Sequence, residues 1–528
     1  MADTGLAEHA DPAGTAPAAR GRIAAAIVVP ALVACLLAVL RHPRVVYTSD
    51  STAQQSIVRT WLDVGHGTTH LPADTWLFKF PLYLVLEAIG LSPVTKLLIA
   101  VLVLTALTFV LLGAGVLLLA PRARWYQLAA PLVFLAAMGG GIGSNRNLPN
   151  YRNVELGLCF LLLALAARYL ARRRPPVSTV RTLLLAAAVS LGLAVFWFDD
   201  PYFEMLVGLP LMLLAPAWYL LRTRDPRLLH LAGCLLGSFL LLPLLQQAVG
   251  VVGLEIDHTK QLSPSLSAAT HGWGQLLHDT ATQFGVERWH GTTPLVITSN
   301  LLMLGVFALF VAGSAVGAAR FWRSRELVPF TIVATWPLCF LGTVVQDDHP
   351  TRYLILAPYQ LAVTAVLLLP GLPERWPARP ALVVLSCAAL VTGASGATIA
   401  IRANAHPSTA LTTQDELIDA VRATGPAKGL APYWFGNVSS YLAGGERTVY
   451  ELECDHGVLQ TRSWLSDTAR LTRKASSTFL IWSPDYYGSH GCDTADRDRI
   501  LGDAVRVRSL SDGTQILEYG YDISGRLP

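Results

Sequence analysis

The chain has 528 residues, of which 53% are hydrophobic and only 14% charged. Soluble domains carry about 25% charged residues, so apolar runs this long and this poor in charge belong to a polytopic membrane protein. The 40 Lys and Arg against 36 Asp and Glu leave a net charge of +4; the basic residues fall in short clusters between apolar runs, which excludes a continuous nucleic-acid-binding stripe.

Residues 1–22 are Ala-, Gly- and Asp-rich and read as a disordered cytoplasmic lead. The first apolar run opens at Ile23. Within it, Leu32–Cys35 spells a lipoprotein cleavage box, but Leu36–Leu40 prolongs the hydrophobic run where a polar tether would be needed. A retained first helix is therefore expected. Runs of spanning length follow near 95–119, 127–143, 153–171, 181–198, 202–221, 228–249, 294–319, 327–345, 354–372 and 380–401, which with 23–40 makes eleven.

With the N-terminus in the cytoplasm, the inner connections are Pro121–Tyr126, Ala171–Arg181, Arg222–Arg227, Arg320–Glu326 and Pro373–Pro380. Each is Arg-rich, as the positive-inside rule requires. Phe78–Gly90, FKFPLYLVLEAIG, is apolar enough to be mistaken for a twelfth span. Counting it would put every later Arg cluster outside, so it reads as a helix in the outer interface. The 23–401 region is thus a transmembrane domain whose outer loop, 41–94, carries interfacial helices. Asp50, the Asp199–Asp200 pair and Gln346–Tyr353 all fall at the outer ends of spans.

Residues 402–528 change character and read as a small extracytoplasmic α/β domain. A helix is expected from an N-cap at Thr412 or Thr413 to a stop at Gly425. Gly429–Trp434, Arg447–Cys454 and Ser477–Ser483 read as strands, and Leu459–Lys474 and Thr494–Ala504 as helices. Val505–Tyr521 reads as a hairpin turning at Asp512–Gly513. Five cysteines lie in apolar runs as packing residues; Cys454 and Cys492 could pair if the domain is extracytoplasmic, and the sequence leaves that open.

The first outer loop carries Asp50 within YTSDSTAQQSIVRTW (Tyr47–Trp61), and Lys79-Phe80-Pro81-Leu82-Tyr83 some thirty residues on. This order resembles the polyprenyl-phosphate-dependent glycosyltransferases of the GT-C superfamily, such as the protein O-mannosyltransferases and the lipid A aminoarabinose transferase. Ser51 stands where Glu is common in that group, and Phe80 where Pro is common. The resemblance implies an inverting transfer of a sugar from a polyprenyl-phosphate donor to an acceptor hydroxyl. It places that transfer on the outer face of a bacterial plasma membrane, in cell-envelope glycan assembly, with a glycan, lipid or protein as acceptor.

In that chemistry Asp50 would take the acceptor's proton, a contribution of about 10²–10⁴-fold; the same residue also fits a plain helix N-cap. The leaving lipid phosphate calls for cations. Lys79 suits as a point charge and Arg352 as a two-pronged donor, although snorkelling for the first and an ion pair with Asp347 or Asp348 for the second fit as well. Arg146 and Arg152 lie on the same face, as do Asp348 and His349, candidates for polar substrate contacts. Asp199 and Asp200 would orient the acceptor, tune Asp50 or help hold a cation; the sequence does not choose between them. No cofactor is required by the resemblance, and Mg²⁺ or Mn²⁺ stays open. His66 and His70 have i, i+4 spacing, but Gly65 and Gly67 disfavour the helix a metal pair would need. Tyr433 and Trp434 could stack on a sugar, with filling of the small domain's core the favoured reading. The competing class is a transporter or flippase of lipid-linked glycans. It would show two related halves and charges near the midplane, neither of which is present in the sequence.

Overall fold

The structure is a computed structural model that describes residues 15–42, 46–64, 69–72, 77–138, 153–171, 179–251, 253–257, 294–344, 356–372, 378–405, 409–444, 447–455, 457–462 and 473–527. Helices occupy all eleven apolar runs. Among the described residues, six of them are long and apolar enough to cross a membrane: α1 (Ala19–Arg41), α4 (Pro93–Leu119), α6 (Asn153–Ala171), α8 (Pro201–Thr223), α9 (Arg227–Val251) and α10 (Pro294–Ser324, from Asn300 on). The others are α5 (Trp125–Met138), α7 (Thr179–Asp199), α11 (Leu327–Val344), α12 (Leu356–Leu368) and α13 (Arg379–Ala405). The protein is a multi-pass membrane protein.

The loop after α1 supplies α2 (Ser49–Val64) and α3 (Phe80–Ala88). At 1.5 Å per residue, the nine residues of α3 extend about 14 Å, half of the roughly 30 Å hydrocarbon core. It cannot span. On α2, Ala53, Ile57 and Val58 recur at helical spacing and are buried against Phe80, Tyr83 and Leu86 of α3, Ala100 and Leu104 of α4, Val154 of α6 and Phe198 of α7. One apolar cluster thereby welds the two loop helices to the ends of three spanning helices.

Within the bundle, α4 and α6 approach backbone to backbone. A Cβ on Gly157 would meet the Thr108 carbonyl oxygen at 2.7 Å, on a helix that cannot give way locally. Gly157→Leu is therefore expected to cost about 2–4 kcal/mol by forcing the pair apart, read as a lowered midpoint in thermal unfolding of the detergent-solubilised protein.

A two-stranded parallel sheet joins the loop to the chain beyond α9: β1 (Thr69–Pro72) pairs β2 (Leu254–Asp257), with Thr69 opposite Leu254. His70 thus lies on a strand, so the helical spacing with His66, itself outside the described residues, has no helix to act through.

The C-terminal region is built on a six-stranded mixed sheet of order β5-β4-β3-β6-β8-β7. The strands are β3 (Lys428–Ala431), β4 (Thr448–Asp455), β5 (Val458–Arg462), β6 (Thr478–Trp482), β7 (Arg506–Ser509) and β8 (Gln515–Tyr519). The central β4-β3-β6 trio is parallel and the outer pairings are antiparallel. Helices α14 (Thr409–Arg422), α15 (Tyr433–Leu442), α16 (Pro484–Ser489) and α17 (Thr494–Leu501) connect or cover it. The β7–β8 hairpin turns at Asp512–Gly513, where Gly513 takes φ +85°.

Three local expectations change. The Thr412/Thr413 cap gives way to a helix that starts at Thr409. Leu459–Arg462 is strand, because each of these residues pairs across to Glu451–Cys454, and the long-range ladder overrides a helix-compatible pattern; residues 463–472 of that predicted helix lie outside the described residues. Tyr433 and Trp434 open α15 instead of ending a strand, since Pro432 occupies the N-cap position.

That helix docks the sheet onto the loop. The Ser49 hydroxyl donates to the Tyr433 carbonyl and accepts from the Asn437 N–H at 3.1 Å. Gln414 clasps the Tyr47 backbone, accepting from its N–H at 3.2 Å and donating to its carbonyl at 2.6 Å. Arg59 donates to the Gly444 carbonyl at 2.5 Å, and the Tyr441 hydroxyl donates to Glu87 at 2.6 Å. Glu87 is in turn ion-paired with Lys96 at 2.8 Å. The loop after α1 and the C-terminal sheet therefore lie on one face of the bundle. Cys454 and Cys492 form a disulfide across 38 residues of the same region.

Candidate active site

The chemistry-bearing side chains converge where α2 and α3 meet the ends of α6 and α7. Asp199 closes α7, and Pro201 prevents the helix from continuing in register. The two adjacent acids are thereby separated. Asp200 turns back as an N-cap, its Oδ1 accepting from the Tyr202 N–H at 3.1 Å. Asp199 points the other way, and its Oδ1 accepts from the Leu77 N–H at 2.5 Å. This bond fixes the turn at 77–79 that leads into α3. Lys79, at the N-cap position of α3, is thereby aimed inward.

Lys79 is completely buried and lies 3.3 Å from Oε1 of Glu155, which is buried to the same degree. Glu155 comes from the first turn of α6. Asp199 and Asp200, both fully buried, complete an electrostatic cluster with this pair. Two carboxylates, Glu155 and Asp199, thus share a single ammonium, with Asp200 adding its charge beside Asp199. Among the described residues, the Lys79 Nζ, both Glu155 oxygens and the Asp199 Oδ2 have no hydrogen-bond partner. Polar atoms shut away from water at this density are expensive unless something completes their bonding.

Gln55 on α2 and Tyr83 on α3 flank the cluster, with Tyr83 fully buried. Burial, reinforced by the charge of Glu155 and opposed by a Gln55 contact, holds the Tyr83 hydroxyl well above the usual phenol range. Tyr83 is accordingly a neutral hydroxyl at any physiological pH. Asp50 follows Ser49, which the C-terminal region grips, in the first turn of α2.

Lys79, Asp199 and Asp200 are thus brought together. For Asp50 the helix position is described and the side chain is not; Arg146, Arg152, Asp348, His349 and Arg352 lie outside the described residues. Snorkelling of Lys79 is excluded by its burial. Glu155 escaped the sequence reading because it sits two residues inside an apolar run. The signal was available: it is an acid one turn below the outer end of a span. Among the described residues no group of three or more His, Cys, Asp and Glu side chains is arranged to hold a metal ion.

No family model and no curated protein sequence matches the chain. Its structure, however, aligns with ArnT from Cupriavidus metallidurans in the apo state, covering 95% of this chain and 98% of that one, at 12% identity and a TM-score of 0.54. ArnT is an aminoarabinose transferase of the GT-C superfamily. The chain has the GT-C fold. The structure of ArnT bound to undecaprenyl phosphate aligns equally well, over 93% of this chain and 97% of that one, with the same identity and TM-score. The archaeal oligosaccharyltransferase AglB from Archaeoglobus fulgidus, in complex with an inhibitory peptide and a dolichol-phosphate, aligns over 80% of this chain and 64% of that one, at 12% identity and a TM-score of 0.44. Because the alignment with ArnT covers 95% of this chain, the shared fold takes in the membrane helices, the loop helices α2 and α3 and the C-terminal sheet.

Proposed function

We propose that the protein is an inverting glycosyltransferase. It would move a sugar from a polyprenyl phosphate to an acceptor hydroxyl on the outer face of a bacterial plasma membrane, in assembly or modification of envelope glycans. The observation that carries this reading is the buried Lys79–Glu155–Asp199 centre, with polar atoms left unpartnered among the described residues, beside the interfacial helix that a lipid-borne phosphate would meet on leaving the bilayer. The fold shared with ArnT, whose complex holds undecaprenyl phosphate, supports it. The outer placement is supported by the Arg-rich inner connections and by a disulfide in the region docked on the loop, since disulfides persist in oxidising compartments.

In this reading Asp50 is the base that accepts the acceptor proton as the hydroxyl attacks the anomeric carbon. The bond from that carbon to the phosphate oxygen breaks, and the lipid leaves as a phosphate. Lys79 and Arg352 stabilise the charge gathering on the leaving oxygen, worth most in a site closed to water. Asp199 acts through the backbone of Leu77 and the charge of Lys79 to hold that ammonium in place. Asp200 is the structural partner of the pair, capping the following helix. Arg146, Arg152, Asp348 and His349 are assigned to polar contacts with the substrates. Incubating the purified protein with a panel of polyprenyl-phosphate sugars tests the reading. Acceptor-dependent release of polyprenyl phosphate from one of them is expected, and a protein that neither binds nor consumes any donor would refute it.

A further inference from the structure

A second polar group stands apart from the Lys79 centre, at the carboxyl ends of the parallel strands β3, β4 and β6. In doubly wound sheets this edge is where crevices form, because successive strands deliver their loops there. The chain leaves β3 at Ala431 and, after Pro432, presents Tyr433 and the exposed Trp434, with ring centroids 4.9 Å apart and edge to face. Level with Ala431 on β4 is Glu451, buried despite its charge. Two residues on, and so on the same face of the strand, Glu453 is ion-paired with Arg462 of β5 at 3.4 Å, and each side chain is about one-third exposed. The Arg462 guanidinium lies 6.0 Å from the Tyr433 ring centre. Tyr486, just after β6, completes the group; burial and then the charges of Glu453 and Glu451 push its hydroxyl up from the ordinary phenol range, against the pull of Arg462.

A half-exposed Arg–Glu pair contributes about 0–1 kcal/mol to stability, so folding alone gives little reason to bring two acids, an arginine and three aromatic rings to one strand edge. The combination does match one kind of ligand. A sugar ring has an apolar C–H face that lies on an aromatic ring and a girdle of hydroxyls that donate to carboxylates and accept from guanidinium. Position adds a second argument. The Tyr433 carbonyl is held by the Ser49 hydroxyl, next in the chain to Asp50, and Tyr433 packs against the cluster of Ile57, Phe80 and Tyr83. Tyr433 therefore lies beside the helix turn that carries Asp50.

We infer that this strand edge is an acceptor subsite for a glycan, which binds the sugar next to the one whose hydroxyl is glycosylated. The acceptor role rests on the transferase reading above; the sugar binding does not. The test uses the full-length protein in lipid nanodiscs, titrated with octyl glycosides of hexopyranosyl and pentofuranosyl disaccharides and with a serine-containing acetylated hexapeptide. Saturation-transfer NMR gives the affinities. At least one disaccharide glycoside is expected to bind, with affinity reduced about tenfold or more in Trp434→Ala and in Arg462→Gln, the loss of one good contact. The inference is overturned if no glycoside binds, if both variants bind as the unmodified protein does, or if only the peptide binds through these residues. Undecaprenyl phosphate, titrated in parallel, separates the two readings: its failure to bind sinks the donor assignment and leaves the glycoside result standing.

Discussion

Lys79→Met is expected to abolish sugar transfer and to destabilise the protein by about 3–5 kcal/mol, the usual consequence of removing one partner from a buried ion pair. Methionine keeps most of the side-chain volume, so the loss reports charge and not packing. Without the ammonium, Glu155 and Asp199 share a water-free pocket with no described cation. A second substitution separates the structural effect from the chemical one. In Lys79→Met/Glu155→Gln part of the stability should return, because one of the two uncompensated carboxylates is gone, while transfer stays lost. Thermal unfolding and donor turnover on the four members of the cycle measure both quantities. Equal stability of the single variant and the parent would mean that the pair is not buried as described, and recovery of turnover in the double variant would rule out Lys79 as a ligand of the leaving phosphate.

Asp50→Asn carries the second large effect. The amide keeps the size of the side chain but cannot accept a proton, so helix α2 should form normally. Transfer is expected to fall by about 10²–10⁴-fold, the contribution of a positioned base, with undecaprenyl-phosphate affinity unaltered. Near-normal turnover at saturating acceptor would remove Asp50 from the role of base.

The difference in legibility between these two residues is instructive. The bundle was readable because spanning helices advertise themselves by length and hydropathy. The Arg pattern identified Phe78–Gly90 as an interfacial element, and nine helical residues are indeed too few to cross. Lys79 stood out through its place in a short motif. Glu155 did not, since the chain dissolves one acid in an apolar run without disturbing periodicity, and only folding brings α6 against the 77–79 turn. The division of labour between Asp199 and Asp200 was equally hidden. It depends on Pro201 turning the chain, so that one carboxylate caps a helix while the other reaches Leu77. In the C-terminal region, Leu459–Arg462 read as helix because its strand character exists only opposite β4, and Tyr433 read as core because nothing local reveals that its helix will lie on another part of the protein.

That helix has a consequence for how the polypeptide can be divided. Tyr47 and Leu97 on the membrane side share a single buried cluster with Ile418, Val438, Tyr441 and Leu442 from the sheet side. Cut loose as a secreted fragment, the C-terminal module would carry an oily floor with no building beneath it. Roof and bundle are therefore parts of one edifice, each supplying a wall that the other lacks.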